Sequence, residues 1–257
     1  MEPIAGRVAL VTGGGRGIGR AIALALARAG CDVAVAARTV PEIEEVAAEI
    51  VALGRRAHFF PLDMVHRPSL ARAPAEVERA LGPVDILVND AGMDASAPVH
   101  RTDDGLWDGV LAVNLTGPFL LTRACLPSMY GRGWGRVINV ASVAGKTGIL
   151  YGSAYSASKH GLVGFTRCLA LEGVRKGLTA NAICPGWTET QMMDEAVERA
   201  VRATGRTAEE VRAAILRSNP RGKPALPEEV AEVAVLLAAN PAITGQAIHV
   251  DGGEIMG

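Results

Sequence analysis

In the run Tyr155-Ser156-Ala157-Ser158-Lys159 a phenol and an ammonium stand four residues apart. On a helix that spacing puts both side chains on one face, where they can act on a single spot. A phenol ionises near pH ~10, so it is almost wholly protonated at neutral pH. A neighbouring cation favours the phenolate, and Lys159 is therefore expected to lower the Tyr155 pKa and make the phenol a usable acid/base. A drop of ~2 units takes about 3 kcal/mol of preferential phenolate stabilisation. One partly buried ammonium together with a cationic cofactor ring can supply it. Ordinary surface pairs share this spacing, so the partners elsewhere in the chain decide between the two readings.

Two more residues are candidates for the same chemistry. Ser142, in Asn139-Val140-Ala141-Ser142, follows a strand-like run, where its hydroxyl can bond a substrate carbonyl or serve as a turn or cap residue. Asn114 lies in an otherwise apolar helical stretch three residues before Gly117-Pro118. It either satisfies carbonyls freed by a proline kink or also holds a water that passes protons toward Lys159.

A nucleotide site is expected at Thr12-Gly13-Gly14-Gly15-Arg16-Gly17-Ile18-Gly19, which ends the first strand-like run and opens the first helical one. Glycine lets a ligand approach the backbone, and a helix N-terminus offers free N–H groups and a positive dipole to a pyrophosphate. The spacing is G-x-x-x-G-x-G, and Arg20-Ala21 stands where a P-loop needs Lys-Ser/Thr. A glycine-rich turn without a ligand is the alternative; its place directly after the first strand of an alternating chain favours nucleotide binding. A ribose-binding acid is expected at the end of the second strand, but that end reads Ala36-Ala37-Arg38-Thr39, and Asp32 lies at the strand's other end. Arg16 and Arg38 suit a 2′-phosphate, which a carboxylate would repel. NADP(H) is thus preferred, with NAD(H) left open. Asp63 and Met64 follow the third strand, where the carboxylate can take an adenine amino group or cap a turn. Asn89, Ala91 and Gly92, in Asn89-Asp90-Ala91-Gly92, leave room for a ribose at the end of the fourth, with Asn89 also bonding neighbouring strands. Pro185, Gly186 and Thr188 close the sixth strand as a turn whose backbone can meet a carboxamide.

The elements that must position these residues alternate. Strands are expected over Arg7–Thr12, Asp32–Ala36, Ala57–Leu62, Val84–Asn89, Arg136–Ala141, Thr179–Cys184 and Ala247–Val250. Helices are expected over Gly17–Ala29, Pro41–Leu53, Pro68–Leu81, Thr102–Met129, Ala154–Lys176 and Pro227–Ala239. This strict alternation predicts an α/β, single-domain, Rossmann-type doubly wound parallel sheet of seven strands with helices on both faces. One stretch breaks it: Trp187–Pro224 has helical character at Glu189–Val201 and Ala208–Leu216 but no strand. An insertion there, after the sixth strand, is where a substrate lid belongs. Trp187, Met192, Met193 and Val197 would give it an apolar, adaptable lining or ordinary packing.

Composition narrows the rest. The 257 residues suit one domain, and 49% hydrophobic with only 4% aromatic residues calls for a core of Ala, Val, Leu and Ile. With 26 basic and 27 acidic residues, net charge −1, no nucleic-acid or acidic-membrane partner is expected. Cys31, Cys125, Cys168 and Cys184 form no C-x-x-C pair, and the five histidines are scattered singly, so neither a disulfide framework nor a metal site is expected. G-x-S-x-G and H-E-x-x-H are missing, which sets hydrolase readings aside. Apolar stretches look interrupted before the ~18 residues needed to cross a bilayer. A strand starts within a few residues of Met1, which leaves no room for a signal peptide, so the expected location is cytoplasmic.

Together, T-G-x-x-x-G-x-G, N-D-A-G, the helix Asn, the strand Ser, Y-x-x-x-K and P-G resemble the short-chain dehydrogenase/reductase family in order and spacing, from Gly6 to Val250-Asp251-Gly252-Gly253. The resemblance implies Tyr155 as catalytic acid/base, Lys159 as its pKa-lowering partner and ribose ligand, Ser142 as the carbonyl-binding hydroxyl and Asn114 as holder of a relay water. It also implies a homotetramer, or a homodimer, through the two long helices. Within the family the chain is similar to 3-oxoacyl-carrier-protein reductases and polyketide ketoreductases at Gly145-Lys146, Tyr155–Thr166 and Cys184–Met192, and to 3-hydroxybutyrate dehydrogenases at Thr179–Trp187. It differs from them at Asp90, where a second Asn is usual, at Met93–Ser96 and at Ala144. The implied activity is NADPH-dependent reduction of a ketone, the substrate being a small carbonyl compound that includes acyl thioesters. The alternatives are oxidation of a secondary alcohol or 3-hydroxyacid, and a non-catalytic nucleotide-binding protein.

Overall fold

Valine, alanine and isoleucine fill the strand runs almost without interruption, and such runs are stable when both sheet faces are covered. A computed structural model describes residues 2–256. Seven strands, all parallel, pair in the order β3-β2-β1-β4-β5-β6-β7. They are β1 Val8–Thr12, β2 Asp32–Ala37, β3 Ala57–Pro61, β4 Ile86–Asn89, β5 Gly135–Val140, β6 Leu178–Pro185 and β7 Ala247–Val250. The order reverses between β1 and β4, so the crevice above their carboxyl ends is the natural ligand site.

α1 (Gly17–Arg28), α2 (Val40–Ala52) and α9 (Pro227–Ala239) bury Ile22, Leu26, Ile43, Ile50 and Leu237 against one face. α3 (Arg67–Ala80), α5 (Gly117–Arg132) and α6 (Ser153–Gly173) cover the other with Leu70, Val77, Leu121, Met129 and Leu169. α4 (Asp104–Leu111) precedes α5, while α7 (Gln191–Thr204) and α8 (Ala208–Ile215) fill the insertion after β6.

Strand ends fall within two residues of expectation, but the long helix expected at Thr102–Met129 does not. It starts at Asp104, where the Asp103 carboxylate caps the Leu106 N–H at 2.7 Å, and runs to Arg132. Between α4 and α5 it widens into a π-helical turn over Ala112–Thr116. Such turns mark functional sites in many helices, and this one presents Asn114. Asp104–Arg132 is also long and apolar enough to cross a membrane by length and composition, with a mean hydropathy of 1.4, contrary to the expectation that no such stretch exists. Here it is a packing helix: Leu121, Cys125 and Met129 are buried against α3 and the sheet.

Candidate active site

The cleft above β1 and β4 begins with Thr12. Its hydroxyl donates to Val88 O and accepts from the Asp90 and Ala91 amides, both at 3.2 Å, which locks the Asp90-Ala91-Gly92 turn onto the end of β1. Gly13 adopts φ +68°, and a Cβ there would lie 2.8 Å from Ala91 N. A Cβ on Gly19 would lie 2.3 Å from Gly13 O, so helix α1 can approach the loop only without side chains at these points. The result is a cavity of about 290 Å³ lined by Gly13, Gly15, Arg16, Gly17, Ile18, Arg38, Thr39, Asp63, Met64, Ala91 and Gly92. Open N–H groups at the start of α1 and a wall that side chains would fill are what a dinucleotide needs.

Several expected cofactor residues sit elsewhere. Asn89 is buried below the cleft, donating to Asn139 Oδ1 at 2.8 Å and Thr122 Oγ1 at 3.2 Å; it ties β4 to β5 and does not line the cavity. Gly19 lies behind the loop, likewise off the wall. Pro185, Gly186 and Thr188 line a second cavity, as do Tyr155 and Lys159. An acid is also present where the sequence suggested none. Glu42, in the first turn of α2, lines the cleft, and a Cβ on Gly15 would lie 3.1 Å from its Oε2. Arg38 is exposed and makes no hydrogen bond or ion pair among the described residues, whereas Arg16 stands 3.7 Å from Glu195 of α7. Asp63 accepts from the Val65 amide at 3.1 Å, a turn role compatible with its place on the wall.

The second cavity, about 190 Å³, adjoins the first through Ile18, Asp90, Gly92, Met93, Thr190 and Met192. Ser142, extended at the end of β5, accepts from the Ala144 amide at 3.1 Å, which leaves its own hydrogen to donate. Tyr155 and Lys159 reach the cavity from the first turns of α6. Lys159 is buried, its Nζ donating to Val140 O at 2.8 Å and lying 5.6 Å from the Tyr155 ring centre. Burial pulls its pKa down to about 8, against the pull of Asp90.

The lowering of Tyr155 expected from Lys159 is opposed by burial. Burial pushes the phenol up to about 12; a hydrogen bond from Ser142 opposes this, and the charges of Asp94 and Asp90 add to it. Lys159 bonds Val140 O and shares its charge with Asp90, and burial keeps the proton on the phenol. Asp90 is itself pushed up to about 7, because burial outweighs both Lys159 and the Gly19 amide.

The Asn114 amide does not serve the carbonyls of its own helix. Oδ1 accepts from Met93 N at 2.9 Å, and Nδ2 donates to Met93 O at 3.0 Å and to Ser158 Oγ at 3.1 Å. Both amide hydrogens are committed, and none goes to a carbonyl of its own helix. Ser158, in turn, donates to Tyr155 O at 2.7 Å. Ser158 therefore couples the π-helical turn to α6 at the Tyr155 backbone, and only its place between Tyr155 and Lys159 hinted at this.

The insertion after β6 forms the outer side. Trp187, Met192 and Met193 line the cavity, while Val197 packs beneath. Arg199 of α7 pairs with Asp94, and Glu195 one turn earlier faces Arg16. Asp94 and Glu254 also line this cavity, and sequence reading singled out neither.

The short chain dehydrogenase family profile matches residues 7–200. The chain is 38% identical over 255 residues to a D-beta-hydroxybutyrate dehydrogenase of Cupriavidus necator, covering 97% of this chain and 98% of that protein. It is 39% identical over 251 residues to a 3-oxoacyl-acyl-carrier-protein reductase of Aquifex aeolicus, covering 96% and 97%. Its fold is similar to the crystal structure of a variant of actinorhodin polyketide ketoreductase with NADPH, at TM-score 0.93, 40% identity and coverage of 96% and 97%.

Proposed function

Because this chain belongs to the short chain dehydrogenase family, and so is an oxidoreductase acting on CH–OH and C=O groups, we propose that it reduces a ketone of 3-oxoacyl or related type to a secondary alcohol, preferring NADPH, with Tyr155 as proton donor. One observation carries the reading: Ser142, Tyr155 and Lys159 open on a single cavity that merges with the glycine-loop cleft. We read the chain as one catalytic unit, with Trp187–Pro224 as its lid.

Gly13, Gly15, Gly17 and Ile18 would hold the dinucleotide backbone, and Arg38, which has no other partner among the described residues, would take a 2′-phosphate. Bound there, a nicotinamide dinucleotide supplies the hydride. The chain's own residues do the rest. Ser142 turns its hydrogen from the phenol to the carbonyl oxygen, and Tyr155 donates a second hydrogen bond and then its proton. Two placed donors stabilise the developing alkoxide, usually the largest contribution to such catalysis. The phenol carries its proton at neutral pH and so has one to give. Lys159, near 8, can return a proton to the phenolate. Asn114 has one Oδ1 lone pair left, and there it can accept from a water that feeds Lys159.

The enzyme should oxidise NADPH with a small neutral ketone at least about tenfold more efficiently than NADH, measured as kcat/KM by absorbance. Arg38→Ala should erase most of that difference. A strong NADH preference in the unaltered enzyme would refute the Arg38 assignment. Exposed Phe119 and Leu171 on α5 and α6 support a homotetramer or homodimer through these helices, testable by light scattering.

A further inference from the structure

Three carboxylates, Asp90, Asp94 and Glu254, line the cavity beneath the lid, and among the described residues its one cation is Lys159. Two of the three face a cation: Asp94 pairs with Arg199, and Asp90 feels the charge of Lys159. Glu254 differs. It arrives from the segment after β7, and its Oε1 accepts from Ser218 Oγ at 3.2 Å. Its Oε2 is closed off from solvent and has no hydrogen-bond partner among the described residues. That oxygen lies behind Gly186, where a Cβ would come within 3.1 Å of it. Much of the remaining wall is apolar, with Ala144, Ile149, Trp187, Met192 and Met193. Burial raises the Glu254 pKa, and in its ionised form a carboxylate oxygen shielded from water and left without a donor keeps its field unscreened across such a wall.

We propose that this cavity selects ketones that carry no charge near the reacting carbonyl, such as 3-oxo esters and thioesters, and rejects the free 3-oxo acids of the same skeleton, with Glu254 as a specificity-determining residue. The inference rests on the carbonyl-reductase reading. A free acid would bring a fourth carboxylate into the cavity and lose its hydration there. No cation is available to replace that hydration, since Lys159 already bonds Val140 O and faces Asp90. An ester or thioester of the same skeleton has no such charge and gains contact with the apolar wall. Charges far along a thioester tail lie outside the cavity and do not enter the comparison.

Ethyl acetoacetate and acetoacetate isolate the charge on one carbon skeleton. With the full-length enzyme and saturating NADPH, kcat/KM for the ester should exceed that for the acid by about a hundredfold. Glu254→Gln should narrow the gap about tenfold, mainly through the KM of the acid. Equal turnover of both by the unaltered enzyme would overturn the selectivity and leave the reductase reading standing. If neither is reduced, and S-acetoacetyl-N-acetylcysteamine is inert too, the reductase reading falls and this inference with it. An unchanged gap in folded Glu254→Gln would remove Glu254 from the account. Should that variant not fold, inhibition of ester reduction by acetoacetate decides instead: a Ki within threefold of the ester KM would overturn the selectivity.

Discussion

At the amino-terminal end of the sheet Asp32, Asp85 and Arg136 are buried and bonded on every side; at the carboxyl-terminal end buried Lys159 and half-buried Asp90 and Glu254 have fewer partners than they can use. Asp32 receives Arg55 at 2.6 Å, Arg56 at 2.8 Å and the Arg56 amide at 3.1 Å. Asp85 receives the Val8 amide, Arg132 and Arg7. Arg136 meets Glu2 at 2.7 Å, three carbonyl oxygens and the face of Trp134. Burial pushes Asp32 up, yet the Arg56 bonds and the Arg55 charge outweigh it and hold its pKa below the ordinary value. The carboxyl end shows the opposite balance, with Asp90 raised to about 7, Lys159 lowered to about 8 and Tyr155 raised to about 12. Burial is common to both ends. What differs is whether partners answer it, and groups left unanswered near neutrality are those able to move protons.

The sharpest way to break this comparison is to remove the proton donor. Tyr155→Phe should lower kcat by roughly 10²–10⁴-fold, the span of general-acid contributions, with cofactor affinity by fluorescence titration and Tm nearly unchanged. Near-normal turnover would mean the carboxyl-end groups are merely unsatisfied, not catalytic.

The amino end should respond the other way. Arg136→Met keeps the bulk but removes the charge-assisted bonds to Glu2 and to three carbonyls. We expect a loss of about 2 kcal/mol in urea unfolding and a Tm lower by about 6 °C, with kcat/KM per folded molecule unchanged. A large loss of activity in folded protein would erase the division between the two ends.

Asp90→Asn tests whether the carboxyl-end groups act as a set. The change removes the charge that supports protonated Lys159 and one that holds Tyr155 up. Both pKa values should fall, moving the basic limb of the kcat/KM pH profile down by about one unit. Stability has its own signature. Folded Asp90 keeps a proton up to about pH 7 that the unfolded chain gives up near 3.8. Its contribution is therefore full below pH ~3.8 and is lost as pH rises through about 7. Asn has no such dependence, so the variant's Tm relative to the parent should increase between pH 4 and pH 8. A flat difference would contradict the buried, raised carboxyl.

This contrast also explains what could be read from the chain alone. Tyr155/Lys159, Ser142 and the glycine loop were legible because their geometry is local: one helical turn, one strand end, one strand–helix junction. The sheet was legible from alternation. The π-helical turn was not, because its amide partners, Met93 and Ser158, are set by tertiary packing. Glu42, Asp94 and Glu254 escaped for the same reason. Glu254 enters the cavity only because β7 pairs with β6, more than sixty residues away in sequence. Nor could spacing predict the direction of the Tyr155 shift, which depends on burial and on two carboxylates that topology brings near.

The smallest expected effect lies where the two kinds of charge meet, between the glycine loop and α7. Arg16 faces the cofactor cleft but stands 3.7 Å from Glu195, both side chains nearly half exposed. A pair so exposed contributes about 0–1 kcal/mol, so it is a weak competitor for any 2′-phosphate that Arg16 would bind. Glu195→Ala should therefore lower the KM for NADPH about twofold and leave that for NADH unchanged, the difference fading in 0.5 M salt as screening removes the competition. A rise in the NADPH KM would mean that Glu195 holds the lid in its binding position, and would place it with the answered charges of the amino end.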